Sequence, residues 1–134
     1  MYSEITKEQI NVNETMNKLN CNGCGAIIDF YGIVRPQGEV GEILALYYDY
    51  HESMAPKILS QLLYEAIQKF SLIDALAVHR VGLIPVGEIS LFIAISSRHR
   101  KEALSGMDWL IDQIKTRVPI WKKDIYKDGQ YWHQ

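Results

Sequence analysis

Leu76-Ala-Val-His-Arg-Val81, Gly82-Leu-Ile-Pro-Val-Gly87 and Glu88-Ile-Ser-Leu-Phe-Ile-Ala-Ile-Ser96 form the stretch on which the fold turns. The two flanks are rich in β-branched and aliphatic residues, as strands are. The link from Gly82 to Gly87 is too short for the helix that a parallel crossover needs, so the two strands are expected as antiparallel neighbours. On the N-terminal side, Ser53 and Pro56 open a helix. Its apolar positions Leu59, Leu62, Leu63, Ala66, Ile67 and Phe70 recur at three- and four-residue spacing. On the C-terminal side a second long helix runs to about Arg117, turning Ala103, Met107, Leu110, Ile111 and Ile114 inward, and Pro119 stops it. Residues 26–34 read as a largely buried strand, and Pro36, Gly38 and Gly41 bound the loop that leads to a strand over Glu42–Tyr50. Ile10 and Val12 suggest a short first strand, followed by a brief helix over Glu14–Leu19 capped by Asn13. Strands at Trp121–Tyr126 and Tyr131–His133 flank a turn at Asp128-Gly129. The order β-α-β-β-α-β-β-α-β-β predicts an α+β fold, with two main helices laid on a mostly antiparallel sheet.

The composition agrees with one unit. A chain of 134 residues, 48% hydrophobic and 22% charged, has the profile of a single domain over 1–134. Its longest apolar run, Leu91–Ile95, is far short of a membrane span, and MYSEITKEQI lacks the features of a secretory leader, so a cytoplasmic location is expected. A net charge of −2 argues against generic binding to a nucleic-acid backbone. That average hides an asymmetry. Residues 98–123 carry seven Lys or Arg against three acids, which points to a local anion site in an otherwise acidic chain. Cys21 and Cys24 in Cys-Asn-Gly-Cys lack the further ligands a structural zinc requires and read as a tight turn that contains thiols.

Three groups of residues carry candidate chemistry. Ser96-Ser-Arg-His99-Arg100-Lys101 places cations at a helix start, where the helix dipole disfavours them unless an anion such as phosphate reverses the sign. The plain alternative is that these side chains extend into water. Lys115 and Lys122 lie on either side of Pro119, beside Ile120 and Trp121. If the strand folds back along the helix, both amines share one cleft with an apolar wall that partly withdraws them from water, a setting suited to acyl or proton transfer. Arg35 ends a strand just before a loop and is either a site residue or a surface one. His79-Arg80 is equally ambiguous, and neither His51 nor His133 has companions at metal-ligand spacing.

Together these residues resemble the MoaE family, the large catalytic subunits of molybdopterin synthase, from about Ile10 to Trp132. The similarity lies in Gly25-Ala-Ile-Ile-Asp-Phe-Tyr-Gly-Ile-Val-Arg35, in Leu46-Tyr-Tyr-Asp-Tyr50 with Met54-Ala55, in His79-Arg-Val-Gly82 and in Gly87-Glu88. Most specific are Ser97-Arg-His99-Arg100 and Lys115-Thr-Arg-Val-Pro-Ile-Trp-Lys122-Lys123. The resemblance implies an α/β hammerhead fold and a homodimer. Each large subunit would carry a small ubiquitin-like, MoaD-like sulfur carrier, making a heterotetramer. It also implies a reaction: the partner's C-terminal Gly-Gly thiocarboxylate would convert cyclic pyranopterin monophosphate into the dithiolene of molybdopterin, without a metal or cofactor of the enzyme's own. By the same resemblance Lys115 and Lys122 match the catalytic lysines, and Arg35, His99 and Arg100 match the substrate-binding positions. Asp49 and Asp124 stand where the family more often has Glu, and Arg98 is an added charge. The competing reading is a non-catalytic module that uses the same cations to hold a phosphate or nucleotide for regulation. Such a module would tolerate the loss of Lys115 with only weaker affinity.

Overall fold

The computed structural model describes residues 1–127 and the backbone of 131–133. The predicted Asp128-Gly129 turn and the side chain of His133 lie outside the described residues. The elements are β1 (Tyr2–Thr6), α1 (Val12–Met16), β2 (Ala26–Ile33), β3 (Gln37–Gly38), β4 (Gly41–Tyr50), α2 (Met54–Phe70), β5 (Asp74–Arg80), β6 (Gly82–Pro85), β7 (Ile89–Ser97), α3 (Arg100–Arg117), β8 (Ile120–Tyr126) and β9 (Tyr131–His133). They form an α+β fold with two sheets, ordered β1-β5-β7-β2 and β3-β4-β8-β9, the short β6 pairing with β4.

The pairing expected of the deciding stretch is present: β5 runs antiparallel to β7, with Leu76 opposite Ala94 and Val78 opposite Phe92. Both strands are buried on both faces, which is why neither shows the alternation of a half-exposed strand. One face sets Ala75, Ala77, Leu91, Ile93 and Ile95 against Leu59, Leu62 and Leu63 of α2 and Ala103, Met107 and Leu110 of α3. The other sets Leu76, Val78, Phe92 and Ala94 against Ile10 and Leu19 of the α1 region. The second sheet has its own core of Val34, Ile43, Leu46, Ile84 and Tyr126.

Several expectations change. The first strand is Tyr2–Thr6 rather than Ile10 and Val12; it lies parallel to β5, while Ile10 is a core residue outside any strand. The terminal amine pairs with the buried Asp74 at 2.7 Å, so this strand is anchored by a contact distant in sequence. The helix that follows is capped by Asn11, whose side chain accepts from the Glu14 N–H at 3.0 Å, not by Asn13, and it ends at Met16. The link between β5 and β7 contains a strand of its own: Gly82–Pro85 pairs with Ala45–Tyr48, which carries the chain into the second sheet and back. β2 forms an edge, half-exposed in alternation rather than largely buried, with Ile27, Tyr31 and Ile33 about 42–48% exposed. At the start of α2 the N–H of Met54 is taken by His51 Nδ1 at 3.1 Å, and Ser53 makes no capping bond through its side chain.

Candidate active site between the two sheets

Where the sheets meet, a cavity of about 700 Å³ opens, and Arg35, Lys115 and Lys122 all line it. The period of a strand explains Lys122. On β8 it shares a face with Asp124, and the two lie opposite Tyr48 and Leu46 of β4, all four lining the cavity. Lys123 points the other way, with its amine 5.4 Å from the centre of the Tyr47 ring and 3.9 Å from Asp49. Pro119 turns the chain from α3 into β8, so Lys115 in the last helical turn and Lys122 on the strand reach one cleft, as the sequence suggested.

Of the cations at the end of α3, Arg117 is committed to Glu65 of α2 at 3.1 Å and to Gln113 at 3.2 Å. Arg35, Lys115 and Lys122 make no ion pair or side-chain hydrogen bond among the described residues. Their charge is therefore available to a ligand. Lys115 is exposed rather than partly withdrawn from water, because it sits on the cavity rim while Ile114 and Val118 take the wall.

Three polar groups stand in this wall beside the cations: Asp124 and Tyr48, which the sequence reading does not offer as site residues, and His79, which it leaves ambiguous. Asp124 is 1% exposed and accepts from the Tyr126 hydroxyl at 3.0 Å. The Tyr48 hydroxyl is pushed above its ordinary range by burial. His79 stands edge-on to the Tyr48 ring at 5.1 Å, and burial holds its imidazole down to about 4. An alternation count on β8 from Lys122 would have found Asp124. His79 gave no such signal, because its strand is apolar on both faces.

His99 and Arg100 are not brought to this cavity. They are exposed at the other end of α3, where His99 is the residue before the first turn and Arg100 the first within it. Fifteen residues of helix separate Arg100 from Lys115, about 22 Å along the axis. The start of the helix is positioned by the turn that contains the thiols. The Gly25 N–H donates to the Ser97 carbonyl at 2.9 Å, and a Cβ at residue 25 would collide with the Arg98 carbonyl. Cys21–Cys24 is the expected tight turn, closed by Cys24 N–H to Cys21 O at 3.1 Å, and both cysteines are free thiols. Among the described residues no three His, Cys, Asp or Glu side chains are grouped so as to hold a metal ion.

Residues 5–117 match the family model described as MoaE protein. The chain is 40% identical over 133 residues to the molybdopterin synthase catalytic subunit of Thermoplasma volcanium, covering 98% of this chain and 97% of that one. It is 39% identical over 129 residues to the protein of the same name from Bacillus subtilis, covering 96% and 82% respectively. Among solved structures, a chain of molybdopterin synthase from Staphylococcus aureus superposes with a TM-score of 0.90 at 34% identity, covering 98% of this chain and 95% of that one. By sequence and by fold, the chain belongs to the MoaE family.

Proposed function

We propose that the cavity between the sheets is where sulfur passes from the C-terminal thiocarboxylate of a small ubiquitin-like partner to cyclic pyranopterin monophosphate. This chain then acts as the catalytic subunit of a molybdopterin synthase. Family membership makes it a sulfur-transferring enzyme of molybdenum cofactor biosynthesis; the assignment of residues and steps is what the proposal adds. One observation carries it: three cations with no partner among the described residues converge on a single cleft of about 700 Å³. A thiocarboxylate tail and a phosphorylated pterin are both anionic, and both need such a field.

In each round the thiocarboxylate sulfur bonds to a substrate carbon and a carbon–oxygen bond at that carbon breaks, so that an acyl-sulfur link joins partner and pterin. The oxygen stays on the phosphate as the cyclic ester opens in one round and leaves as water in the other. Water then adds to the acyl carbon and the acyl–sulfur bond breaks. The sulfur stays on the pterin, and the partner leaves as a carboxylate. Lys115 meets the carbonyl end of the tail, and Lys122 stabilises the negative charge that builds on the acyl oxygen during addition and breakdown. Two rounds give the dithiolene. The direct check is to mix the protein, a thiocarboxylated small subunit and cyclic pyranopterin monophosphate. Dithiolene product should form only when all three are present, and its absence from the complete mixture overturns the proposal.

His99 and Arg100 supply the phosphate site, where side-chain cations and the free N–H groups of a helix start converge on the same oxygens. Arg100→Ala should weaken binding of the phosphorylated substrate by about 1–3 kcal/mol, and His99→Ala should act in the same direction. Isothermal titration with unchanged affinity in both variants, at wild-type melting behaviour, would remove this assignment. A separation of about 22 Å along α3 is too great for one small ligand to bridge within a single chain. The proposal therefore includes a homodimer of large subunits, with two small subunits completing a heterotetramer. In it the α3 start of one chain faces the cavity of the other. The apolar edge of β2, with Ile27, Tyr31 and Ile33 exposed, is available to such a contact. Sedimentation at micromolar concentration should show a dimer, and a clean 15.4 kDa monomer would contradict it. No described helix is long and apolar enough to cross a membrane, and the proposal places the enzyme in the cytoplasm.

A further inference from the structure

The sulfur-transfer scheme gives no part to His79, a buried group of the cavity wall. His79 lies near the end of β5, opposite Leu91 of β7. The strand's odd positions Ala75 and Ala77 pack under the helices, and His79 is the next residue on that face, lining the cavity itself. Two contacts fix the ring. Nδ1 is 2.7 Å from the Arg80 carbonyl oxygen, and the ring meets Tyr48 edge to face at an interplanar angle of 78°.

A carbonyl oxygen only accepts, so Nδ1 carries the hydrogen and Nε2 keeps its lone pair. Burial disfavours the imidazolium, which keeps the ring neutral near neutral pH. Nε2 has no hydrogen-bond partner among the described residues. The cavity's cationic side chains, Arg35, Lys115 and Lys122, can only donate. The Asp124 carboxylate already accepts from Tyr126. Glu39, a further carboxylate of the lining, is exposed, and a carboxylate that accepts from a ligand also attracts the lysines and offsets the field they supply. A neutral imidazole accepts without that cost.

We propose that His79 Nε2 is a fixed, uncharged hydrogen-bond acceptor for a ring N–H of the pterin substrate, a recognition residue that sets the heterocycle's orientation against Lys115 and Lys122. This rests on reading the cavity as the site of sulfur transfer. It adds an uncharged acceptor there that discriminates a heterocyclic N–H from a simple anion.

Two substitutions divide the ring's functions. His79→Asn places an amide N–H near the Nδ1 position and keeps the Arg80 link, but has nothing at Nε2. His79→Gln places an amide oxygen near the Nε2 position and gives up the Arg80 link. With the full enzyme, thiocarboxylated partner and pterin substrate, His79→Asn should raise KM for the pterin roughly 10-fold, leaving kcat within about 3-fold and melting near wild type. His79→Gln should melt lower yet keep KM within about 3-fold of wild type. A ¹⁵N NMR spectrum should show an unprotonated Nε2 whose resonance moves when pterin substrate is added. A wild-type KM in His79→Asn, KM changes that follow the loss of melting temperature in both variants, or a hydrogen on Nε2 would each overturn the proposal while leaving the enzyme active. A wild-type protein that forms no product would instead overturn the reading of the cavity, and this proposal with it.

Discussion

Lys115→Ala should slow sulfur transfer from a pre-formed thiocarboxylate by ~10²-fold or more, and Lys115→Arg should slow it nearly as much. The pair of variants separates charge from chemistry. Arg keeps the cation at the end of α3, where the helix dipole favours it, but a guanidinium neither hands over its proton at working pH nor adds to a carbonyl carbon. Lys115 stands on the cavity rim, exposed and without an ion pair among the described residues, while its neighbour Arg117 is held by Glu65 at 3.1 Å. It is thus the amine of this helix end that is open to an incoming tail. Single-turnover transfer, measured for both variants beside partner affinity, decides the matter. Near-wild-type turnover in Lys115→Arg removes the chemical role and leaves Lys122 as the better candidate. Full turnover in Lys115→Ala would show that transfer does not depend on this amine at all.

Stability should fall by about 3 kcal/mol between pH 7.5 and pH 4 on account of His79 alone. Its imidazole is held down to about 4 in the folded protein, chiefly by burial, against an ordinary value of 6.5. Between those values the unfolded chain binds the proton and the folded chain does not, so acid favours unfolding. The contribution is complete above pH 6.5 and is lost as the pH falls towards 4. Urea unfolding at the two pH values should show a drop that shrinks by about this amount in His79→Gln, because other titrating groups contribute to both proteins alike. An equal drop in the variant would show that His79 does not carry this linkage.

The antiparallel β5–β7 pair and the two long helices were legible because each rests on a local signal: a short link, a repeat of three and four, a proline after Val118. What escaped depended on partners distant in sequence. β1 is short and half-exposed, and takes its place from β5 and from the contact of the terminal amine with Asp74. β6 looks like a turn, with Gly82 and Pro85 at its ends, until β4 lies beside it. β2 is rich in Ile, Phe and Tyr yet forms an edge, since hydrophobic content does not say which strand is outermost. The site divides in the same way. Lys115 and Lys122 flank one proline, and the turn at Pro119 unites them. His99 and Arg100 precede Lys115 on the same helix, and the rigidity of that helix holds them apart. His79 stays ambiguous in the sequence, because a histidine in a strand buried on both faces looks like a core residue until the structure shows that it lines the cavity.

The most direct test of the cavity as the reaction site is the rate at which each lysine is acetylated, read by mass spectrometry, with and without the thiocarboxylated small subunit. Lys115 and Lys122 line the cavity, whereas Lys57, Lys69 and Lys101 do not. The account predicts that bound partner slows modification of Lys115 and Lys122 at least about 10-fold, with the other three unchanged. Unchanged rates at Lys115 and Lys122 in a complex shown to be formed, with protection at Lys101 instead, would place the tail at the α3 start and contradict it.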